Sequence, residues 1–231
     1  MLKFNQKTWN DKMLPKIIIH NSISIDSSLT NFEPHMGLHY KIAEYYKPDV
    51  HLIGSNTIKE GIKLYEDGVP KEEKKDFKKQ ERNKNLPYWV IIDTHGYLKG
   101  LLHTCRRFEF CKDIIVLVSE KTPKTYLNYL KERNYDYYIV GKNQVNLKKA
   151  VSLLLNKYQA KTILTDTGKI LGNILINKGL ASEISLLIHP IIVGNKSYNM
   201  FSNINKNLKL KLIKKEILEN DFIWLVYKIK N

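Results

Sequence analysis

The chain has few arginines and few cysteines. Only four of its 38 basic residues are arginine, although the formal net charge is +15. Arginine is the usual bidentate reader of phosphate and guanine, so a lysine-rich excess is weak evidence for nucleic-acid binding, and we expect no nucleic-acid partner. The two cysteines, Cys105 and Cys111, cannot staple a domain of this size. They favour free thiols and a cytoplasmic location.

Several common sequence signals are also missing. No apolar run is long enough to span a bilayer, and the first fifteen residues lack the apolar region of a secretory signal. The absence of G-x-x-x-x-G-K-[ST] and of G-x-G-x-x-G disfavours a P-loop NTPase and an ordinary Rossmann dehydrogenase. No set of residues has metal-ligand spacing, so we expect no metal site.

Apolar, β-branched segments alternate with helical periods through most of the chain. The pattern predicts strands at 16–25, 49–53, 88–93, 113–119, 137–140, 161–165 and 183–190, and helices at 39–46, 57–65, 123–133, 147–158 and 169–178. Residues 209–218 and 222–229 are predicted to form a closing antiparallel pair. This order predicts a single α/β domain over 1–231, with a mainly parallel sheet and a core at about 16–229. The lysine-rich stretch at 69–87 is predicted to be a solvated excursion that is partly helical.

Small polar residues follow the predicted strands. In an open α/β sheet, ligands bind beyond the carboxyl ends of the strands, so residues at those ends are candidates for a site. Five such clusters occur, at 21–26, 54–57, 93–96, 165–169 and 193–196. Each cluster alone is also what an ordinary turn requires. Together they predict a shared pocket.

The segment 161–172 carries the most chemistry. It predicts a strand, a turn of small residues and then a helix, whose first N–H groups would form an anion site. Gly168 would let a phosphate approach the backbone, and Lys169 would add a charge; alternatively, Asp166 or Thr167 only caps the helix. The turn 54–57 is of the same kind. Two such turns on one edge suit a dinucleotide.

Five segments resemble the dihydrofolate-reductase-like superfamily, and within it the reductase of riboflavin biosynthesis. They are N-S-I-S-I-D at 21–26, L-I-G-S-N-T at 52–57, I-I-D-T-H-G-Y-L at 91–98, the segment from L-T-D-T-G-K-I-L-G to S-E-I at 164–184, and L-I-H-P-I-I-V-G at 187–194. The resemblance implies a mixed sheet with helices on both faces, an antiparallel C-terminal hairpin, NADPH as cofactor and a homodimer.

The resemblance also implies roles for individual residues. Asp26 would border the substrate as acid or orienting group, and Asn21 would bind the substrate beside it. Residues implied to bind the cofactor are Ser24, Gly54, Thr57, Thr94, Asp166, Thr167, Gly168, Lys169, Ile170, Leu171 and Gly194. Thr94 would lie near the adenosine end, and 166–171 would wrap the diphosphate.

The chain departs from the family pattern at several positions. Ser27 and Lys169 stand where the family has glycine, and Gly61 stands where bifunctional members have an aspartate. The arginines that bind the substrate phosphate in those members have no clear counterpart. The segment 105–108 and the lysine-rich stretch resemble additions to the family pattern. With these departures, the resemblance supports a fold that binds the cofactor better than it supports a substrate from riboflavin biosynthesis.

Three functions remain open on the sequence. The first is an NADPH-dependent reductase of a ribosylaminopyrimidine phosphate or a pterin-like molecule. The second is a non-catalytic member of the fold that binds RNA or another polyanion through its basic surface. The third is a dihydrofolate reductase. We expect His20 and His189 to be core histidines rather than catalysts.

Overall fold

The computed structural model describes residues 14–63, 68–79 and 81–230, which form one α/β domain around a nine-stranded sheet. The strands are β1 (Lys16–Ser24), β2 (Val50–Gly54), β3 (Tyr88–Ile92), β4 (Ile114–Val118), β5 (Asp136–Ile139), β6 (Thr162–Thr165), β7 (Glu183–His189), β8 (Leu210–Ile217) and β9 (Ile223–Ile229). The helices are α1 (Met36–Tyr45), α2 (Ser55–Ile62), α3 (Leu102–Arg107), α4 (Lys124–Glu132), α5 (Leu147–Tyr158) and α6 (Lys169–Asn177).

The sheet order is β5-β4-β3-β2-β6-β1-β7-β9-β8. Strands β1 to β7 pair in parallel, while β9 pairs antiparallel with both β7 and β8. Connections between parallel strands are right-handed, so the side on which the next strand lies determines which face of the sheet the connecting helix covers. The sheet was predicted correctly as mainly parallel with an antiparallel C-terminal hairpin.

The two faces of the sheet carry different helices. Helices α5 and α6 pack on one face, against side chains such as Ile17, Ile19 and Val90. Helices α2, α3 and α4 pack on the other face over β3 and β4, and α1 packs on that same face over β1, β7 and β9. Alternation along β1 therefore sends Ile18 and His20 towards α1. Within the described residues, no helix is long and apolar enough to cross a membrane.

Several predicted boundaries moved. Helix α1 begins at Met36, three residues before its prediction, because the His35 side chain accepts from the Leu38 N–H and caps it. Helix α2 begins at Ser55 and ends at Ile62; the last two residues of its prediction, 64 and 65, lie outside the described residues. The prediction missed α3 entirely. Its six residues are too few to show a clear helical period.

The stretch 69–87 is not simply solvated, which corrects the prediction. It contains a 3₁₀ turn at Lys74–Phe77, in which the Asp76 side chain is buried. Arg107 on α3 donates to both carboxylate oxygens of Asp76, at 2.9 and 2.6 Å, and holds its pKa below the usual value. Arg106 donates to the Asp76 carbonyl at 2.7 Å. Helix α3 therefore fastens the stretch to the domain.

The other two arginines also join the stretch 69–87 to the rest of the domain. Arg133 Nε lies 2.9 Å from each carboxylate oxygen of Glu72, which belongs to the stretch. Arg82, also in the stretch, donates to the carbonyls of Phe108, Arg106 and Arg107. All four arginines of the chain thus bind groups of the protein itself, and segment 105–108 is part of that anchor.

Candidate functional site

The five predicted clusters lie on one edge of the sheet, at the carboxyl ends of β3, β2, β6, β1 and β7 in that spatial order. The chain leaves β2 towards β3 in one direction and leaves β6 towards β7 in the other. The following helices, α2 and α6, therefore pack on opposite faces. Open α/β sheets bind ligands at such a reversal, in the crevice expected between the N-termini of the two helices.

The turn from β6 into α6 presents free backbone donors. The N-cap of α6 is Gly168, and no side chain caps the first turn, so neither Asp166 nor Thr167 has the capping role that the sequence left open. A Cβ on Gly168 would meet no atom within 4 Å. Thr167 is buried instead, with its Oγ1 3.1 Å from that of Thr165. The open helix end carries the partial positive charge that a phosphate needs.

The turn from β2 into α2 is built in the same way. Gly54 is the N-cap, no side chain caps α2, and a Cβ on Gly54 would meet nothing within 4 Å. Thr57 lies in the first turn and is partly exposed. Strands β2 and β6 are neighbours in the sheet, and neighbouring strands lie about 5 Å apart. The two open helix ends therefore follow adjacent strands at the same edge of the sheet. Two adjacent open ends fit the diphosphate of a dinucleotide.

The end of β1 is tied to the loop after β7 by Asp26. Its carboxylate accepts from Ser24 Oγ at 2.6 Å and from the N–H groups of Val193 and Gly194 at 3.1 and 2.8 Å. The Ser24 hydroxyl, followed by these backbone donors, lowers the pKa of Asp26. A carboxylate held ionised is a poor proton donor at neutral pH. This geometry favours the orienting role over the acid role for Asp26.

Asp166 points away from the open end of α6. Its Oδ2 lies 3.2 Å from His51 Nε2 and 3.5 Å from His39 Nε2. Burial alone would raise the pKa of Asp166, but His51 and His39 outweigh it and hold the pKa well below its usual range. Only the backbone of Asp166 thus lies at the turn. The sequence interpretation missed His39 and His51; the signal was a histidine inside each buried apolar period.

His20 is a core histidine, as predicted. It is fully buried, with Nδ1 3.1 Å from Ser185 Oγ and Nε2 3.2 Å from the His39 carbonyl. Burial is the main cause that lowers the pKa of His20 to about 3, and the charge of the neighbouring His39 is the second. His20 is therefore neutral at physiological pH. His189 is also buried, and its Nε2 accepts from the His35 N–H at 2.9 Å.

The remaining predicted residues are spread over the edge. Lys169 Nζ lies 4.0 Å above the ring of Tyr198, beside the loop after β7. Ile170 is exposed and Leu171 packs partly on the core. Thr94 lies at the end of β3, where its carbonyl accepts from Thr122.

Asn21 is not brought together with the others. It is buried in β1 between two side chains, those of His20 and Ser22, that face α1. Strand alternation therefore turns it to the opposite face, towards α6. Its Nδ2 has no hydrogen-bond partner. The predicted contact of Asn21 with the substrate stays a prediction that this orientation does not favour.

A groove runs along α1 on the face that carries His51. The cavity measures about 910 Å³. Its lining residues include His51, Trp89, Leu164, Tyr40 and Phe108. Buried Trp89 Nε1 lacks a hydrogen-bond partner. The sequence interpretation did not identify this groove, because α1, β3 and the segment after α3 meet only in the fold.

The domain is similar to solved reductase structures. It matches a pyrimidine reductase-like protein from Corynebacterium diphtheriae at 17% identity and a TM-score of 0.68, covering 94% of this chain and 92% of that one. It matches the riboflavin biosynthesis reductase Rib7 of Saccharomyces cerevisiae at 17% identity and a TM-score of 0.66, covering 96% and 93%.

A third match is longer than this chain. The Thermotoga maritima diaminohydroxyphosphoribosylaminopyrimidine deaminase/5-amino-6-(5-phosphoribosylamino)uracil reductase matches at 16% identity and a TM-score of 0.58, covering 94% of this chain and 57% of that one. The TM-scores show that the fold is shared, and at these low identities the matches show the fold alone. No curated protein matches the chain in sequence.

The family model of the RibD C-terminal domain matches residues 15–224, which include every strand-end cluster described above. The chain therefore belongs to the RibD C-terminal domain family.

Proposed function

We propose that the protein is an NADPH-dependent reductase of riboflavin biosynthesis that acts on a ribosylaminopyrimidine phosphate. The observation that carries the proposal is the pair of uncapped helix N-termini, α2 and α6, on adjacent strands of the crevice. Family membership supports the reductase class. The reductase named for the Thermotoga maritima relative supports the substrate class.

The residues present fit such a cofactor. The first-turn N–H groups behind Gly168 and Gly54 would hold the diphosphate, and Thr94 would lie towards the adenosine. Ser24 and the loop braced by Asp26 would border the nicotinamide. When bound, the cofactor supplies a hydride. The chain itself has to orient the reacting carbon and exclude water.

The substrate is proposed to lie in the groove along α1. Tyr40 and Trp89 offer aromatic surface to a planar pyrimidine, and Lys41 on α1 offers charge to a phosphate. Because all four arginines bind groups of the protein, lysine and backbone N–H groups would have to hold that phosphate. A lysine binds phosphate as a point charge rather than as a fork.

Two substitutions at one position test the cofactor site. Gly168→Asp and Gly168→Asn both place a good capping residue where a Cβ meets open space, but only the aspartate is an anion. We expect the Kd for NADPH, measured by fluorescence titration, to be at least about tenfold higher for the aspartate variant than for the asparagine variant. Equal dissociation constants would place the diphosphate elsewhere.

Turnover separates the substrate alternatives. Wild-type protein with NADPH is offered 5-amino-6-(5-phosphoribosylamino)uracil in one assay and dihydrofolate in another. We expect NADPH oxidation only with the first. Oxidation with dihydrofolate alone would establish the folate alternative. Steep salt-dependent retention on single-stranded RNA, without turnover of either compound, would favour the polyanion-binding alternative.

Two further attributes are part of the proposal. Both cysteines are buried free thiols, which supports a reducing cytoplasmic compartment. The edge strand β8 exposes Leu212, Ile213 and Ile217, which supports a homodimer. A molar mass near twice 27.1 kDa in light scattering is the expected result, and a monomer would contradict it.

A further inference from the structure

Two histidines hold the first turn of α1. His35 is the N-cap of this helix, and its Nδ1 accepts from the Leu38 N–H at 3.2 Å. The backbone N–H of His35 donates in turn to Nε2 of His189, the last residue of β7, at 2.9 Å. We call His35 and His189 the histidine pair. The residues usually found at an N-cap are Asn, Asp, Ser, Thr and Gly, so a titratable imidazole at this position needs an explanation.

Both contacts require a neutral imidazole in one particular tautomer. A ring nitrogen accepts a hydrogen bond only when it carries no proton. His35 must therefore carry its proton on Nε2, and His189 must carry its proton on Nδ1, where the Leu187 carbonyl lies 3.3 Å away. A second proton on either ring would place an N–H group against a backbone N–H group. That contact would then be lost.

The surroundings of the histidine pair also disfavour a charge. His189 is buried, and burial is the main cause that lowers its pKa below the usual value. Phe222 packs on both rings, with centroids 4.8 Å from His189 and 5.4 Å from His35, and Phe32 packs on His189 at 4.9 Å. The first turn of α1 contains no acidic residue. A positive charge there would face the positive end of the helix dipole.

Other titratable groups on the packed elements do not neutralise such a charge. On α1, His39 is paired with Asp166, and a charge on His39 lowers the pKa of His189 further. After β1, the Asp26 carboxylate is occupied by three donors outside the pair. The other acidic groups on these segments are exposed: Glu33, Glu219 and Asp221. Within the described part of the chain, no carboxylate lies within ion-pair distance of the histidine pair.

We propose that the histidine pair is a pH-sensitive fastening, which holds the N-terminus of α1 on β7 while both rings are neutral and releases it when either ring takes a proton from solvent. The proposal goes beyond the reductase function and does not depend on it. In the released turn the rings are solvated, and a solvated imidazole has a pKa of about 6.5. Each pH unit below that value therefore favours the released turn by up to about tenfold for each ring.

Release would change the shape of the groove along α1. Gly37 and Tyr40 of this helix are among the residues that line the groove. Leu38, whose N–H the cap holds, is buried in the core beneath the helix. The turns at Gly54 and Gly168 belong to α2 and α6 instead. A ligand in the groove should therefore bind more weakly in acid, and a ligand at the two turns should not.

Amide hydrogen exchange followed by NMR measures the release directly. The probes are the N–H groups of His35 and Leu38 from about pH 8 to about pH 5, expressed as protection factors so that the intrinsic pH dependence of exchange is removed. In wild type we expect the protection of both to fall by about tenfold or more below about pH 6, while Ile42 later in α1 keeps its protection. Unchanged protection of both amides over this range would overturn the proposal.

Matched variants separate the titration from the fold. His35→Asn/His189→Gln keeps an amide oxygen as acceptor at each position but cannot take a proton, so its protection should persist in acid. His35→Ala lacks the acceptor and should show low protection of Leu38 at every pH. His103→Gln removes a buried histidine on α3, whose Nε2 lies 2.7 Å from the Pro70 carbonyl, and should behave like wild type. If the double variant loses protection at the same pH as wild type, the proposal is wrong.

A kinetic readout separates this proposal from the proposed function. With 5-amino-6-(5-phosphoribosylamino)uracil as the probe, we expect KM to rise in acid more for wild type than for the double variant, with equal Kd for NADPH. If wild type turns over no pyrimidine, the proposed function fails, and the exchange data still decide whether the histidine pair releases α1. If the exchange data differ but KM follows the same pH dependence in both proteins, the predicted effect on the groove is refuted.

Discussion

The buried guanidinium of Arg106 offers the sharpest test of how this fold is held together. The side chain is 1% exposed, and its Nε donates to Asp113 Oδ1 at 3.0 Å. Its two terminal nitrogens donate to the carbonyls of Asp76, Arg133 and Asn134, at 2.7, 2.8 and 3.1 Å. One side chain thus joins α3, the start of β4, the end of α4 and the stretch 69–87. We predict that Arg106→Met strongly destabilises the domain.

The magnitude follows from what the substitution leaves behind. Methionine fills much of the same space, so packing losses are small. The Asp113 carboxylate, 10% exposed, loses its counter-ion and keeps the Ile114 N–H as a donor at 2.8 Å. Removing one partner of a buried ion pair costs about 3–5 kcal/mol. For a domain of this size, that loss lowers Tm by about 10 °C.

Urea unfolding followed by circular dichroism measures the free energy of unfolding. Lys79→Ala is the control, because its 2.7 Å ion pair with Asp136 is half exposed and such pairs contribute less than about 1 kcal/mol. The double variant Arg106→Met/Asp113→Asn removes the stranded charge and should recover about 1–2 kcal/mol. A loss below about 1 kcal/mol for Arg106→Met, or no recovery in the double variant, would refute this reasoning.

Four further predictions follow from single positions. His20 has a pKa of about 3 in the fold against 6.5 unfolded, so the unfolded chain binds the extra proton between these values and stability is lost as the pH falls. His20→Gln should remove up to about 5 kcal/mol of that acid dependence in urea unfolding at a series of pH values. Asp26→Asn should speed amide exchange in the loop after β7 and weaken NADPH binding; unchanged exchange would contradict its bracing role. Gly141→Ala should destabilise, since φ is +118° and a Cβ would lie 2.2 Å from Gln144 O. Helical Gly61→Ala, with open space, should stabilise by about 1 kcal/mol, and thermal melts of the two alanine variants measure both effects.

The sequence predicts the sheet well because its strands are periodic and separated by glycine and polar turns. The predicted strand 113–119, for example, contains the unbroken apolar run 114–118, where β4 is buried on both faces. Short elements could not be predicted from hydrophobic periodicity. Helix α3 has six residues, and most of them are buried for reasons outside the helix, such as the hydrogen bond from Arg106 to the Asp76 carbonyl. Tertiary contacts, and not the local hydrophobic period, determine whether such a segment is helical.

The candidate site was predictable in position but not in detail. Strand ends could be read from the sequence, so the turns at Gly54 and Gly168 were found. The direction of the Asp166 side chain could not be read, because it depends on His39 and His51, which lie more than 100 residues away in the chain. A carboxylate in the turn before a helix is typical of a helix cap, and only the fold shows that Asp166 contacts His39 and His51 instead.

The charged residues that already pair within the protein determine which groups of the candidate site are left to bind an anion. With the four arginines bound to the protein's own groups and Asp166 bound to histidines, the described crevice is left with backbone N–H groups and lysines for anions. Backbone donors at helix ends bind phosphate without a long side chain having to be ordered first. An anionic ligand would therefore be held by fixed geometry, while the surplus of lysine raises its local concentration through a field that salt screens. Salt should accordingly slow NADPH association more than it speeds dissociation, and stopped-flow rates at two ionic strengths distinguish the two contributions.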